Sequence, residues 1–494
     1  MTGSARLWTV LAILLFAPPP AAFAQAATTL DTLVATYALA PQDVGFLVFD
    51  PETGSVLEEH NADQGFIPAS VTKVPTMVAA MNILGADYRF ETTVQASGPV
   101  AGGHLGGDLF LVGGGNPFLD TGDLAGLARE VRARGIATID GALHYDASLL
   151  ASVEEINAGQ PIPADYNPGV SALSVNFNRI LVSWQRDRSV GGVVALAKAV
   201  SDSMEMPVDW VSFDPAPAET DPGAGFVYAG MGGVERWLVS QRLSEPGTLW
   251  LPVRAPDLHT ATVFARLLEQ QGVTVGPPTA GVRPAAAVAL ALNTSPPLVE
   301  IAEQVLHYSN NLSAELVGLA ASRQLTGTAM SLPASSQALG QWYAARIPSI
   351  AWGSFRTENH SGLSTSARVT PRQLGAVLHF AWPQVYGGQR LFDLLQPVAW
   401  QDAINQERPA GSPPLQIRAK TGTVYYGSGL AGYLTTVGGR TLGFVVFVSD
   451  IAQRTALDAV MDRRFLAPPE GGRGWLSRAR EVERALVTRW ATAY

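Results

Sequence analysis

Three short motifs stand in order along this 494-residue chain: Ser70-Val71-Thr72-Lys73, Ser309-Asn310-Asn311 and Lys420-Thr421-Gly422-Thr423. Together they hold the parts of a serine acyl-transfer site that uses no histidine. Ser70 is the candidate nucleophile, and Lys73 the candidate base that takes its proton. Lysine is scarce here: among 33 Lys+Arg, only Lys73, Lys198 and Lys420 are lysine, and the motifs claim all but one of them. Arginine could not replace Lys73 as a base, because a guanidinium stays protonated whereas a desolvated ammonium can lose its proton near neutral pH. Lys420 brings a second ammonium, which would depress the pKa of Lys73 by like-charge repulsion if the two come near. Gly422 lets the backbone approach a substrate closely, and Thr421 and Thr423 offer hydroxyls to a carboxylate. Ser309 can relay a proton to a leaving amine, and the Asn311 amide can bond both the lysine and a substrate amide. Simpler readings make Asn311 a helix cap and Gly422 a β-bulge glycine.

Other chemistries find less support. There is no G-x-S-x-G elbow and no H-E-x-x-H, and the seven histidines are scattered, so neither a Ser-His-Asp triad nor a metal site has a framework. No metal or organic cofactor is expected. Gly113-Gly114-Gly115-Asn116-Pro117 lacks the lysine of a phosphate loop and sits among β-like runs, which makes it a tight turn.

Definite elements must position these residues. Residues 44–50 and 55–61 read as strands joined at Pro51-Glu52-Thr53-Gly54, a hairpin. A helix follows from Ser70, with 71–84 as its apolar body; its free N–H groups and positive dipole end favour a developing anion at Ser70. Residues 298–306 and 312–322 read as helices flanking the Ser309 turn. Residues 416–424, 429–437 and 441–449 read as an antiparallel meander. Helices before and after such a sheet give an α/β sandwich, with Lys420 on an edge strand facing the Ser70 helix.

Between Lys73 and Ser309 lie 235 residues, more than a loop without structure of its own can hold. An inserted domain is therefore expected, built mostly of β-like runs such as 108–112 and 172–182, with helical stretches such as 124–134. The division is 25–88 and 293–494 for the catalytic domain and 89–292 for the insert.

The chain's ends and composition set the compartment and the partners. Residues 7–16 are an apolar run after Arg6, followed by Pro18-Pro19-Pro20 and the small-residue site Ala22-Phe23-Ala24, so 1–24 read as a secretory signal cleaved after Ala24. The run is too short to remain as an anchor. Without cysteine there is no disulfide framework and no lipoprotein attachment, and a periplasmic protein resting on its hydrophobic core fits best. A net charge of −9 without a basic stripe argues against nucleic acid. The basic residues near the C-terminus, Arg473, Arg478, Arg480, Arg484 and Arg489, accompany an apolar helical face of Trp475, Ala479, Val482, Leu486 and Trp490. Docking on the domain core is a simpler use of that face than a membrane surface.

The ordered motif triple is a recorded signature of penicillin-binding proteins and β-lactamases. Beyond it, Asp108 through Pro117, Val170-Ser171-Ala172-Leu173-Ser174-Val175-Asn176, Ser309 through Glu315, and Ser361-Gly362-Leu363-Ser364 followed by Val369-Thr370-Pro371 resemble the class C low-molecular-mass penicillin-binding proteins. The resemblance runs over nearly the whole mature chain. It implies a D-alanyl-D-alanine carboxypeptidase and endopeptidase of peptidoglycan, with a penicillin-binding, β-lactamase-like transpeptidase domain interrupted by a large, mostly β insertion. Ser70 would attack the carbonyl of the penultimate D-alanine or of a D,D cross-link, with the oxyanion on the N–H groups of Ser70 and Thr423. Peptidoglycan peptides and β-lactams are the implied partners; the oligomeric state stays open, a homodimer included. The chain departs from the family at Asn310 and Asn116, where aspartates are usual. D-G-S-G-L-S-R reads Asn359-His360-Ser361-Gly362-Leu363-Ser364-Thr365, and the missing arginine bears on recognition of a substrate side chain. Two rivals remain: a β-lactamase, which needs fast deacylation, and a non-catalytic wall-binding module on the same scaffold.

Overall fold

The structure is a computed structural model that describes residues 30–494 except 220, 222, 224, 231–233, 407, 409–413 and 467–468. The expected export signal at 1–24 lies outside the described residues. At the centre is a five-stranded antiparallel sheet in the order Ile417–Val424, Gly427–Thr435, Thr441–Ser449, Val44–Phe49, Val56–His60. The hairpin and the meander expected from the sequence are both present, joined where Val44–Phe49 pairs with Thr441–Ser449. Every position of Val44–Phe49 is buried, because its two-residue period sends Leu47 and Phe49 into one core and Val44, Phe46 and Val48 into another.

The first core is completed by the helices Lys73–Leu84, Leu298–Tyr308, Asn311–Thr326, Leu332–Arg346 and Pro371–Ala381. The second is covered by the C-terminal helix Gly472–Ala493, which buries Trp475, Ala479, Val482, Leu486 and Trp490. Side chains such as Val482 and Leu486 contribute about 1.5–3 kcal/mol each when fully buried, so this face is committed to the sheet. Among the described residues no helix is long and apolar enough to cross a membrane.

Much of 89–292 gathers around a core of its own, while Leu150, Ile156, Val170 and Ala172 pack in a cluster with Leu312, Leu316 and Leu319. The entry strand Glu91–Ala96 and the exit strand Val288–Thr294 pair antiparallel, with Glu91 opposite Thr294, so the chain leaves and returns at one neck. These two join Leu109–Gly113, Leu143–Asp146 and Thr279–Ala280 in one sheet, and a second sheet comprises Glu205–Val208, Gly192–Val200, Arg179–Asp187 and Gly247–Pro252.

One expected strand is corrected. Within 172–182 a strand begins only at Arg179, in Arg179–Asp187. Asn176, Phe177 and Asn178 have φ of 50°, 56° and 52°, a left-handed turn. Asn176 secures it through the Thr121 amide and hydroxyl at 3.1 and 2.7 Å, and Asn178 through Gly169 O and Ser174 Oγ at 2.8 and 3.0 Å. Asparagine side-chain bonding overrides the β-like alternation of the surrounding residues. Gly113 closes the strand Leu109–Gly113 opposite Thr92, so the tight turn expected over Gly113–Pro117 is corrected: a turn begins only at Pro117, and a Cβ on Gly113 would lie 2.4 Å from Ala172 O, so this glycine serves close backbone packing.

Candidate active site

Ser70 sits in the 3-10 turn Ala69–Thr72, which runs directly into the helix Lys73–Leu84. The residue before it, Ala69, has φ of 45°, a left-handed geometry that costs a non-glycine on the order of 1–3 kcal/mol. Packing holds it there. Gly362, at φ of 77°, lies so close that a Cβ would fall 1.9 Å from Ala69 O. The family-like Ser361-Gly362-Leu363-Ser364 segment is therefore the floor under the nucleophile's turn.

Lys73 is completely buried, and its Nζ meets three oxygens: Ser70 Oγ at 2.9 Å, Asn311 Oδ1 at 2.7 Å and Ser361 O at 2.9 Å. As an ammonium it donates to all three. As a neutral amine it keeps two N–H bonds, and Asn311 and Ser361, which can only accept at these atoms, would claim them. The lone pair is then left facing the Ser70 hydroxyl. Burial lowers the pKa of Lys73 well below its ordinary value, and the positive charge of Lys420 lowers it further; the carboxylate of Glu315 opposes both.

The Ser309 turn is made by geometry the motif dictates. Ser309 ends the helix Leu298–Tyr308 at φ of 60°, and Asn310 caps the next helix by accepting from Ser313 N at 2.9 Å. Asn310, not Asn311, is thus the cap. That leaves Asn311 Oδ1 for Lys73, while its Nδ2 donates to Tyr166 O at 2.9 Å and keeps one proton for another acceptor. Ser309 lines a small cavity of about 150 Å³ together with Asn311, Tyr166, Phe177 and Arg179.

Lys420 lies on the edge strand Ile417–Val424, only 2% exposed, with Nζ donating to Thr421 O at 2.9 Å. Burial brings its pKa down to about 8. The strand runs in unbroken register past Gly422, which faces Gly429, so Gly422 is not a bulge. Its lack of a side chain serves close approach: a Cβ would lie 2.5 Å from Pro68 O and 3.1 Å from Ser70 N. Both neighbours are backbone. Gly422→Ala is expected to push the edge strand from Ser70 and slow acylation by a fluorescent penicillin by roughly 100-fold, since a displacement near 1 Å costs about that much. Thermal unfolding should change modestly; an unchanged acylation rate would show that the contact does not matter.

Sequence reasoning missed several contributors. Glu315, buried within the helix Asn311–Thr326, accepts from His360 N at 2.8 Å and Ser361 N at 2.9 Å, and so aims the Ser361 carbonyl at Lys73. A carboxylate inside the apolar run Leu312 to Ala321 was the available signal. Tyr166 gave none, because only its backbone carbonyl is used. His360, which stands where the family has glycine, packs over Gly318, where a Cβ would meet its ring at 2.1 Å. Thr365 donates to Asp458 at 2.8 Å, and Asp458 pairs with Arg454, so a guanidinium stands nearby on the helix Ile451–Val460.

The α/β sandwich with this edge-strand lysine, serine turn and buried lysine is a penicillin-binding, β-lactamase-like fold. The crystal structure of penicillin-binding protein 4 from Haemophilus influenzae superposes with a TM-score of 0.73 at 20% identity, covering 93% of this chain and 99% of that one. The D-Ala-D-Ala carboxypeptidase 3 (S13) family matches residues 26–465, and the chain belongs to that family. Similar proteins include a D-alanyl-D-alanine carboxypeptidase of Actinomadura sp. (strain R39), 28% identical over 452 residues, 82% of this chain and 77% of that protein. The D-alanyl-D-alanine carboxypeptidase DacB of H. influenzae is 25% identical over 431 residues, 82% of this chain and 85% of the relative.

Proposed function

We propose that this member of the D-Ala-D-Ala carboxypeptidase family is a periplasmic serine hydrolase that works through an acyl-enzyme on Ser70. Its substrates are peptidoglycan stem peptides, from which it removes the terminal D-alanine, and D,D cross-links, which it opens. The observation that carries this reading is Lys73 Nζ held among Ser70 Oγ, Asn311 Oδ1 and Ser361 O. Neutral Lys73 takes the Ser70 proton as Oγ attacks the carbonyl, and the oxyanion rests on the N–H groups of Ser70 and Thr423. Ser309 passes a proton to the leaving amine, and water then hydrolyses the ester. β-Lactams acylate the same oxygen. A solved relative of this fold, the H. influenzae protein, is described in complex with a β-lactam, which supports that part of the reading.

Mass spectrometry of isolated muropeptides incubated with the purified protein tests this. Pentapeptides should lose one D-alanine and cross-linked dimers should become monomers. Unchanged muropeptides would overturn the proposal, and with rapid turnover of a chromogenic β-lactam they would make the protein a β-lactamase. Inertness toward both would favour a wall-binding module.

A further inference from the structure

Lys420 is poorly placed to meet a substrate carboxylate alone, being nearly buried and bonded to Thr421 O. An exposed cation stands at the same edge. Arg480, on the C-terminal helix Gly472–Ala493, donates from Nη2 to Thr423 Oγ1 at 3.2 Å, and both residues are exposed. This helix lies outside the matched residues 26–465. We infer that Arg480 and Thr423 form an anchoring site for the terminal carboxylate of the substrate, so that the C-terminal helix sets the preference for carboxylate-ended peptides and β-lactams. The inference rests on the proposed peptidase reading and adds a specificity-determining residue to it.

The hydrogen-bond inventory favours this use. Thr423 Oγ1 accepts from Arg480, so its own proton is free to donate, and the guanidinium has further N–H donors beyond the one on Thr423. A carboxylate seated there would accept from both, in the charge-assisted geometry arginine provides. Among the described residues no carboxylate lies within ion-pair distance of Arg480. Glu483 on the same helix is buried beside Ser428, and burial pushes its carboxyl up to about 7. Ser428 is the register partner of Thr423, so helix and edge strand meet at this point. The outer edge of Ile417–Val424 is bonded to Gln396 and Val398 as far as Ala419, and Thr421 O to Lys420, which leaves the Thr423 end of the edge for an extended peptide.

The test compares acylation of wild type, Arg480→Ala and Arg480→Lys by benzylpenicillin and by its methyl ester. Losing one charge-assisted contact should lower the carboxylate-over-ester preference about tenfold in Arg480→Ala, through weaker binding more than a slower chemical step. Arg480→Lys should restore part of it. Equal losses on acid and ester, or an unchanged preference, would overturn the inference while leaving the peptidase reading intact. If wild type forms no adduct with either compound, both fall together.

Discussion

Lys73→Arg is expected to leave Ser70 unacylated by a fluorescent penicillin although the positive charge is retained. The lysine is completely buried among three acceptors, and burial together with Lys420 drives its pKa down, so a neutral fraction is available as base. A guanidinium offers no lone pair under any ordinary condition. Losing general base catalysis costs roughly 10²–10⁴ in rate, and the bulkier side chain adds about 1–3 kcal/mol of overpacking, so a melting curve should accompany the labelling. Ser70→Ala sets the zero. The wild-type pH profile carries the same logic. Acylation rises with pH as Lys73 loses its proton, and falls as pH passes about 8, where Lys420 loses the charge that draws an anionic substrate. Near-normal acylation by the folded arginine variant would move the base role to another group.

What the sequence made legible was what local chemistry decides. The motif triple named Ser70, Lys73, Ser309, Asn311 and Lys420, and the structure brings Ser70, Lys73 and Asn311 into direct contact. The three inner strands of the central sheet were readable because both their faces are apolar, and the edge strands Val56–His60 and Ile417–Val424 because turn residues tie them to inner ones. The Asn176–Asn178 turn was not readable: its left-handed backbone depends on bonds to Thr121 and Gly169, which only the folded chain brings near. Tyr166 and Arg480 escaped for a related reason. One contributes a backbone carbonyl that any residue carries, and the other reaches Thr423 from 57 positions away. Glu315 stood in plain view: a carboxylate in an apolar helical run signals a buried partner, and the fold alone shows that the partners are two backbone N–H groups.

Glu315→Gln is expected to weaken both the fold and the base, and by separable routes. The carboxylate accepts one bond on each oxygen, from His360 N and Ser361 N. Glutamine has one acceptor oxygen, so one backbone donor would face an NH₂ group instead. Hydrogen bonds to a charged group contribute roughly 1.5–3 kcal/mol each, so urea unfolding should show a loss of that size, and a larger one for Glu315→Ala, which forfeits both. The electrostatic route has a definite sign. Negative Glu315 raises the pKa of Lys73 against the lowering by burial and Lys420. Removing that charge lets the Lys73 pKa fall further, so the acid limb of the acylation profile should move to lower pH even as the maximal rate drops with the misplaced Ser361 carbonyl. A purely structural role would reduce the rate without moving the limb. A shift toward higher pH would contradict the assignment of Lys73 as the base, because a group that must be neutral to work cannot be helped into neutrality by a neighbouring carboxylate.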